Sequence, residues 1–285
     1  MFTIGASSAA FAHANYLRSD PPPNAHLNTP PTRVLVGFSE KVQVSSSGLL
    51  LLDQTGREVA SGSGPTSDPT ELALPLRALS DGVYAVAWHT VSAEDGDSAK
   101  GYFAFEVGQA SAVSAPPLTQ TASTPDGIRV DLSVSPDLAG KNGYQVTLTR
   151  GSAAVTDVTR VRLRFTPLDR DIGQTELILA SSSAGTGVFA GNGLELPISG
   201  RYRIQVQLRR SGVDDAMLDL DFMVSNAVAS PSPSAPASSK SAAPTPSATP
   251  VPASAPLVSS ALLVAGVLLV LALAAFGLSR GRRRA

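Results

Sequence analysis

The sequence has no cysteine among its 285 residues, and this absence excludes several kinds of structure and chemistry. A domain exported from the cytoplasm must here be stable without disulfide bonds. Metal sites built from thiolates, such as zinc fingers or Cu(I)-thiolate centres, are excluded as well. Histidine is scarce too, with three residues in the chain, so each histidine has to be weighed individually as a metal ligand.

An excess of positive charge is also missing. Setting aside the four arginines at 280 and 282–284 leaves 18 basic and 23 acidic residues, a net charge of −5. Nucleic-acid-binding proteins carry a basic surface, so this balance excludes a nucleic-acid partner. A mildly acidic surface slightly favours cations instead.

Long amphipathic helical patterns are absent, and apolar residues alternate with a period of two. Many short strands at regular spacing predict an all-β protein with two antiparallel sandwiches of the Greek-key or immunoglobulin-like kind. Asp81-Gly82 and Asp95-Gly96 are typical turn sequences between such strands. The alternating sets include Val34, Val36 and Phe38; Tyr84, Val86 and Trp88; Phe103, Phe105 and Val107; Val161, Leu163 and Phe165; and Tyr202, Ile204, Val206 and Leu208.

One long apolar run stands near the C-terminus. Residues 257–278 contain no charged side chain, and 22 residues of helix span about 33 Å, enough for the hydrocarbon core of a bilayer. The arginine-rich tail at 279–285 follows at once, and the positive-inside rule orients such a tail toward the cytoplasm. The pattern predicts a single-pass plasma-membrane protein whose N-terminal domains lie outside the cytoplasm.

Two segments rich in proline, serine and alanine divide the remainder. Such composition cannot bury a core and tends toward extended polyproline II structure. We therefore expect a first sandwich at 13–108, a linker at 109–124, a second sandwich at 125–225, and a disordered stalk at 226–256.

The N-terminus suggests a processed leader. Ala10-Phe11-Ala12 is a small-x-small triplet of the kind that signal peptidase cleaves after, although residues 1–12 lack the usual basic start and are short. We interpret the printed start as downstream of the true one. Cleavage would make His13 the first residue, whose α-amine and imidazole Nδ1 together chelate a metal. A nitrogen-rich, nearly planar donor set suits Cu(II).

A characteristic set of residues runs through the first domain in a fixed order and spacing. Its members are His13-Ala14, Leu17, Ser19, Pro21, Leu27, Phe38-Ser39-Glu40, Gly82-Val83-Tyr84, Trp88, Val91-Ser92-Ala93, Asp95-Gly96, Gly101 and Phe103 to Phe105. In these residues the domain resembles the CopC copper-resistance family over residues 13–108. The resemblance implies a Greek-key β-domain outside the cytoplasm that holds Cu(II). In the family the ligands are the N-terminal histidine and the aspartate and histidine of an Asp-Gly-His turn, so the resemblance implies His13 and Asp95 as ligands.

The turn departs from the family pattern at its third position. Asp97 stands where the resemblance leads one to expect histidine, and a carboxylate is a harder, weaker partner for Cu(II) than imidazole. The predicted metal ligands are therefore His13, Asp95 and Asp97, with lower affinity than in the relatives. His89 could replace the missing histidine ligand only if its loop folded back. It alternates with Trp88 along the predicted strand, which favours a surface position. The turn-rich surroundings of His26 favour a surface position for that histidine as well. The methionines, at 1, 217 and 223, lie outside the mature first domain, so the methionine-rich Cu(I) site of some family members is absent.

The second domain contains neither histidine nor cysteine. Its stretch from Val161 to Asp169, together with Gly200-Arg201-Tyr202, resembles the β-domain that accompanies CopD-type copper-import proteins. This resemblance implies a CopD-type transporter as a partner, because a single span cannot itself form a multispan transport domain.

Three functions remain open from sequence. The favoured one is a membrane-anchored, extracytoplasmic Cu(II)-binding protein, not an enzyme, that sequesters copper or passes it to a transporter. The second is a structural or interaction module whose metal site has degenerated. The third is a histidine-chelate copper oxidase, which would need an open coordination position and usually a second histidine.

Overall fold

The alternating apolar residues form strands whose inward side chains are buried. A computed structural model describes residues 14–108 and 115–226, and within these ranges every regular element is a strand except one 3₁₀ turn at Val44–Ser46. Val34, Val36 and Phe38 are at most 2% exposed, and Val161, Leu163 and Phe165 are fully buried. The prediction of an all-β protein is confirmed.

The first domain packs two sheets face to face. One sheet has the order β1-β3-β7-β6 and the other β2-β9-β8-β4-β5. The long β8–β9 hairpin pairs Gly82 with Val107 at one end and Val91 with Ser98 at the other. The strands are β1 (Tyr16–Asp20), β2 (His26–Leu27), β3 (Arg33–Phe38), β4 (Gly48–Asp53), β5 (Glu58–Gly62), β6 (Gly64–Pro65), β7 (Glu71–Pro75), β8 (Gly82–Val91) and β9 (Ser98–Val107).

The second domain is a larger sandwich with its own core. Its strands follow the order β10-β11-β12-β16-β15-β14-β17-β18, with β13 beside β12. Strand β15 pairs with β14 along most of its length and with β16 at its end, so it joins the two faces. The strands are β10 (Leu118–Ser123), β11 (Arg129–Ser135), β12 (Gly140–Arg150), β13 (Ala153–Ala154), β14 (Val158–Pro167), β15 (Thr175–Ser181), β16 (Val188–Leu196), β17 (Gly200–Arg210) and β18 (Ala216–Val224).

The β8–β9 hairpin is buried on both faces, which the sequence analysis did not foresee. Val86 and Phe105 face the first core, whereas Ala85, Ala87 and Tyr102 belong to the core of the second domain. The hydroxyl of Tyr102 donates to the carbonyl oxygen of Glu195 at 2.8 Å across this junction. The two domains therefore form one packed body through the hairpin.

The predicted linker at 109–124 differs from the structure in its second half. Strand β10 lies within it at Leu118–Ser123 and pairs along its full length with β11. Leu118 and Ala122, on the same face of β10, pack against the core of the second domain. The polar composition of the segment gave no indication of this burial.

Several predicted segments lie outside the described residues. They are the leader at 1–12, the stalk from residue 227 onward, the apolar run at 257–278 and the basic tail at 279–285. In the described ranges 14–108 and 115–226, no helix is long and apolar enough to cross a membrane.

Candidate metal site

The turn between β8 and β9 carries both predicted aspartate ligands. Ser92 N–H donates to the Asp97 carbonyl at 2.8 Å, and Gly96 N–H donates to the Ser92 carbonyl at 3.1 Å. Gly96 has a φ of +79°, a conformation that glycine adopts without steric cost. Asp97 N–H donates to Oδ1 of Asp95 at 3.0 Å, closing an Asx turn. The sequence thus folds locally so that Asp95 and Asp97 stay together on one short turn.

Ser92 anchors this turn to the neighbouring sheet. Its buried Oγ accepts the N–H of Glu94 at 3.2 Å and that of Asp95 at 3.4 Å. It donates in turn to Oε2 of Glu40 at 3.1 Å. Glu40 therefore acts on the turn through Ser92. Sequence reasoning used Phe38-Ser39-Glu40 only as a family motif and missed this role, although a carboxylate fixed in such a motif was a signal for it.

The N-terminal segment reaches the same end of the hairpin. The buried Oγ1 of Thr90 donates to the carbonyl oxygen of Ala14 at 3.0 Å, and both residues are fully buried. The next residue, Asn15, forms two hydrogen bonds with Ser39. Its N–H donates to the Ser39 Oγ at 2.9 Å, and its carbonyl oxygen accepts from the Ser39 N–H at 2.8 Å. Ala14 is thus held against Thr90, which lies two residues before Ser92 at the base of the turn.

His13 itself lies outside the described residues, one peptide bond before Ala14. Asp95 is exposed and Asp97 is half-buried. Within residues 14–108 and 115–226, no three histidine, cysteine, aspartate or glutamate side chains are grouped closely enough to hold a metal ion. The described residues therefore supply two carboxylates, and a metal would need further donors.

The other two histidines lie away from this arrangement. His89 is exposed and pairs with Gly48 in register, where its ring Cε1 would lie 2.7 Å from a Cβ added to that glycine. Because side chains alternate along a strand, His89 points to the face opposite Thr90 and hence away from Ala14. His26 is exposed and its Nδ1 lies 3.2 Å from Oε2 of Glu106. The prediction that His89 is a surface residue is confirmed.

The fold and the site together define a class: a small β-sandwich that holds its N-terminal segment against an acidic hairpin turn. A family model described as the CopC domain matches residues 16–108. Copper resistance protein C of Xanthomonas campestris pv. juglandis is 36% identical over 110 residues, which cover 36% of this chain and 85% of that protein. Protein YobA of Escherichia coli strain K12 is 30% identical over 102 residues, covering 35% and 82%. The chain belongs to the CopC family.

Solved structures of the same family align with the first domain. CopC from Methylosinus trichosporium OB3b is 28% identical, with a TM-score of 0.33, and the alignment covers 35% of this chain and 99% of that one. PcoC, a methionine-rich copper resistance protein from Escherichia coli, is 28% identical with a TM-score of 0.32, covering 34% and 99%.

Proposed function

We propose that this protein binds Cu(II) outside the cytoplasm and is anchored to the plasma membrane by one C-terminal span. The observation that carries the proposal is the hydrogen bond from Thr90 to the carbonyl of Ala14. It holds the residue next to His13 at the base of the turn that bears Asp95 and Asp97. Copper here is cargo, to be sequestered or transferred.

The chemistry of the donors favours Cu(II). After cleavage, His13 would offer its α-amine and imidazole nitrogen, and the turn would add one or both carboxylates. Cu(II) accepts nitrogen and oxygen donors in a planar arrangement and stands at the top of the divalent affinity order. With Asp97 in place of a second imidazole, we expect binding weaker than a site with two histidines would give.

The relatives support copper as the ion. The protein from Xanthomonas campestris is named for copper resistance, and the match extends through the Asp95-Gly96 turn. The absence of cysteine and the three methionines outside residues 13–108 argue against a Cu(I) site in this domain.

The remaining proposals concern the destination of the copper. The charge-free run at 257–278 and the arginines behind it support a single span with the tail in the cytoplasm. A transporter of the CopD type is the partner that this arrangement suits.

The test begins with the mature protein extracted from membranes. Intact mass should identify His13 as the first residue, and Cu(II) titration should give one site whose electron paramagnetic resonance spectrum shows coupling to nitrogen. Binding with a spectrum free of nitrogen coupling would put the metal on carboxylates and contradict the His13 assignment.

A second function is favoured by one specific observation. Both faces of the β8–β9 hairpin are buried, so the first domain supports the second whether or not a metal is bound. If the mature protein binds no copper, it is an interaction module with a lapsed metal site. Rapid oxygen consumption by the copper-loaded protein with a reductant would instead favour an oxidase.

A further inference from the structure

A cleft runs along the junction of the two domains, apart from the acidic turn. It has a volume of about 500 Å³, within the range of small-molecule binding sites. One wall comes from the N-terminal segment and strand β9, and the other from β15, β16 and the loop before β15. Asp95 and Asp97, the proposed copper ligands on the turn, are not among the residues that line it.

The first wall is aromatic. The rings of Tyr16 and Trp88 stack with centroids 6.3 Å apart and an interplanar angle of 22°. Tyr16 also packs against Phe103, with ring centroids 5.6 Å apart. All three residues line the cleft, and Trp88 is only partly buried. Aromatic faces of this kind attract apolar bodies and also cations.

Not every ionisable side chain that lines the cleft has an ion-pair partner. Nζ of Lys100 lies 2.6 Å from both carboxylate oxygens of Asp171. The carboxylate of Glu176 accepts hydrogen bonds from Arg164 at 2.8 and 2.9 Å. Glu195 differs from both, because its Oε2 is buried and has no hydrogen-bond partner among the described residues. Of the three ionisable side chains Lys100, Glu176 and Glu195 in the lining, Glu195 is therefore the one without an ion-pair partner among the described residues.

Glu195 is one of the residues that line the cleft, and it is 6% exposed. Its main-chain carbonyl is satisfied by Tyr102, so the backbone here is fixed while the carboxylate lacks a full set of donors. Burial raises the pKa of this carboxyl, an effect that its own backbone N–H and the side chains of Tyr144 and Asn24 only partly oppose. A buried carboxylate oxygen without a hydrogen-bond donor is costly, and a bound group that brings an N–H donor and positive charge would lower that cost.

We propose that this cleft binds a small organic cation, a primary ammonium group on an apolar or aromatic body. The ammonium would pair with the carboxylate of Glu195, and the body would lie against Tyr16, Trp88 and Phe103. Lys100 and Glu176 are held by their own ion pairs at the rim, so they neither repel nor replace the ligand.

Trp88 makes the proposal directly measurable, because it is the one tryptophan of the chain. The full-length protein, metal-free and in nonionic detergent, is titrated with benzylammonium while tryptophan fluorescence is recorded. Benzyl alcohol serves as the neutral probe of equal shape and benzoate as the anionic one. We expect saturable binding of benzylammonium, at least tenfold tighter than that of benzyl alcohol, and none of benzoate.

Two variants separate charge from shape. Glu195→Gln keeps the size of the side chain and should weaken benzylammonium at least tenfold while leaving benzyl alcohol unchanged. Glu176→Gln, at the rim, should change the affinity for benzylammonium less than threefold. Equal affinity of the unmodified protein for benzylammonium and benzyl alcohol, or no saturable change with either, overturns the proposal even if Glu195→Gln fails to fold. Because copper is absent throughout, the result is independent of the metal site.

Discussion

Thr90 donates a hydrogen bond from its side chain to the carbonyl oxygen of Ala14, joining two residues 76 positions apart in the chain. Both are fully buried, and a weaker second contact of 3.4 Å links the same hydroxyl to the carbonyl of Ala99. This hydrogen bond connects the N-terminal segment to the strand that leads into the acidic turn. The end of this strand therefore belongs, together with the turn, to the proposed metal site.

Replacing Thr90 by valine should weaken Cu(II) binding about tenfold. Valine has nearly the same shape but no hydroxyl, so the carbonyl of Ala14 would be left buried without this partner. Such a loss typically costs about 1–3 kcal/mol, and fixing one freed residue on metal binding costs about 1–2 kcal/mol. Isothermal titration with Cu(II) and chemical denaturation measure the two effects on the same protein.

Thr90→Ser is the matched control, since serine keeps the hydroxyl and loses a methyl group. It should retain Cu(II) affinity within about threefold, because a hydroxyl that still donates preserves most of the hydrogen-bond energy of about 1 kcal/mol. If valine and serine weaken binding equally, packing of the methyl group, not the hydrogen bond, holds the N-terminal segment.

The strands could be predicted from sequence because their inward residues repeat every second position. Val34 and Val36 alternate with the more exposed Arg33 and Leu35, and the same pattern holds for most strands of the second domain. Burial on one face of a strand leaves this period in the sequence, and the principal strands were therefore located correctly.

The domain junction could not be found by the same rule. Ala85 and Ala87 alternate with Tyr84, Val86 and Trp88, so β8 reads as a nearly continuous apolar run. Such a run is typical of a strand covered on both faces, and it was the available signal for the junction. Its partner surface on β16 is far away in sequence, and no local pattern identifies it.

The candidate site was predictable only in part. The Asp95-Gly96 sequence predicts a turn, and in the structure Asp95 and Asp97 lie on that turn and are joined by a hydrogen bond. The roles of Glu40 and Thr90 depend on contacts 52 and 76 residues apart in sequence, which spacing alone does not reveal. His13 remains a prediction.

Restoring an imidazole on the turn should tighten the metal site. Asp97→His is expected to increase Cu(II) affinity at least tenfold, equivalent to about 1.4 kcal/mol, because Cu(II) prefers imidazole to a carboxylate oxygen. The hydrogen bond that Asp97 gives to Asp95 comes from its backbone N–H, so the substitution does not remove this donor. Cu(II) titration in competition with a chelator of known affinity measures the change.

Three further variants test whether the gain in Cu(II) affinity comes from the proposed set of ligands. Asp95→Ala should weaken binding in both backgrounds, and deletion of His13 should abolish the gain. His89→Ala should have no effect, because its ring lies over Gly48 on the opposite face of β8. Loss of binding in His89→Ala, with no gain in Asp97→His, would make His89 the third ligand and show that the turn was misaligned.

Copper affinity should depend steeply on pH. The α-amine, with an ordinary pKa of about 7.7–8.0, and imidazole, with one of about 6.5, must both lose a proton to bind the metal. Affinity should therefore fall between about pH 7 and pH 5, with more than one proton displaced per copper at the lower end. Titration calorimetry in buffers of different ionisation enthalpy counts these protons. A flat profile would place the copper on carboxylates alone.

Asp137 offers a prediction about stability that is independent of the metal. Its Oδ1 is buried and has no hydrogen-bond partner among residues 14–108 and 115–226, and burial raises the pKa of this carboxyl to about 6. An acid whose folded pKa lies above its unfolded value destabilises the fold when it is ionised. That penalty is fully present above about pH 6 and disappears as the pH falls toward the ordinary aspartate value of about 4.

Asp137→Asn should therefore stabilise the protein at pH 7 and have little effect near pH 4. The side chain is only partly buried, so we expect a gain of about 1 kcal/mol rather than the larger value that the full pKa shift implies. Asparagine also tolerates the φ of +61° at this position. Denaturation curves at both pH values measure the difference, with exposed Asp214→Asn as a control expected to show none. An equal effect of Asp137→Asn at pH 7 and pH 4 would mean that shape or hydrogen bonding, not the buried charge, limits stability at this site.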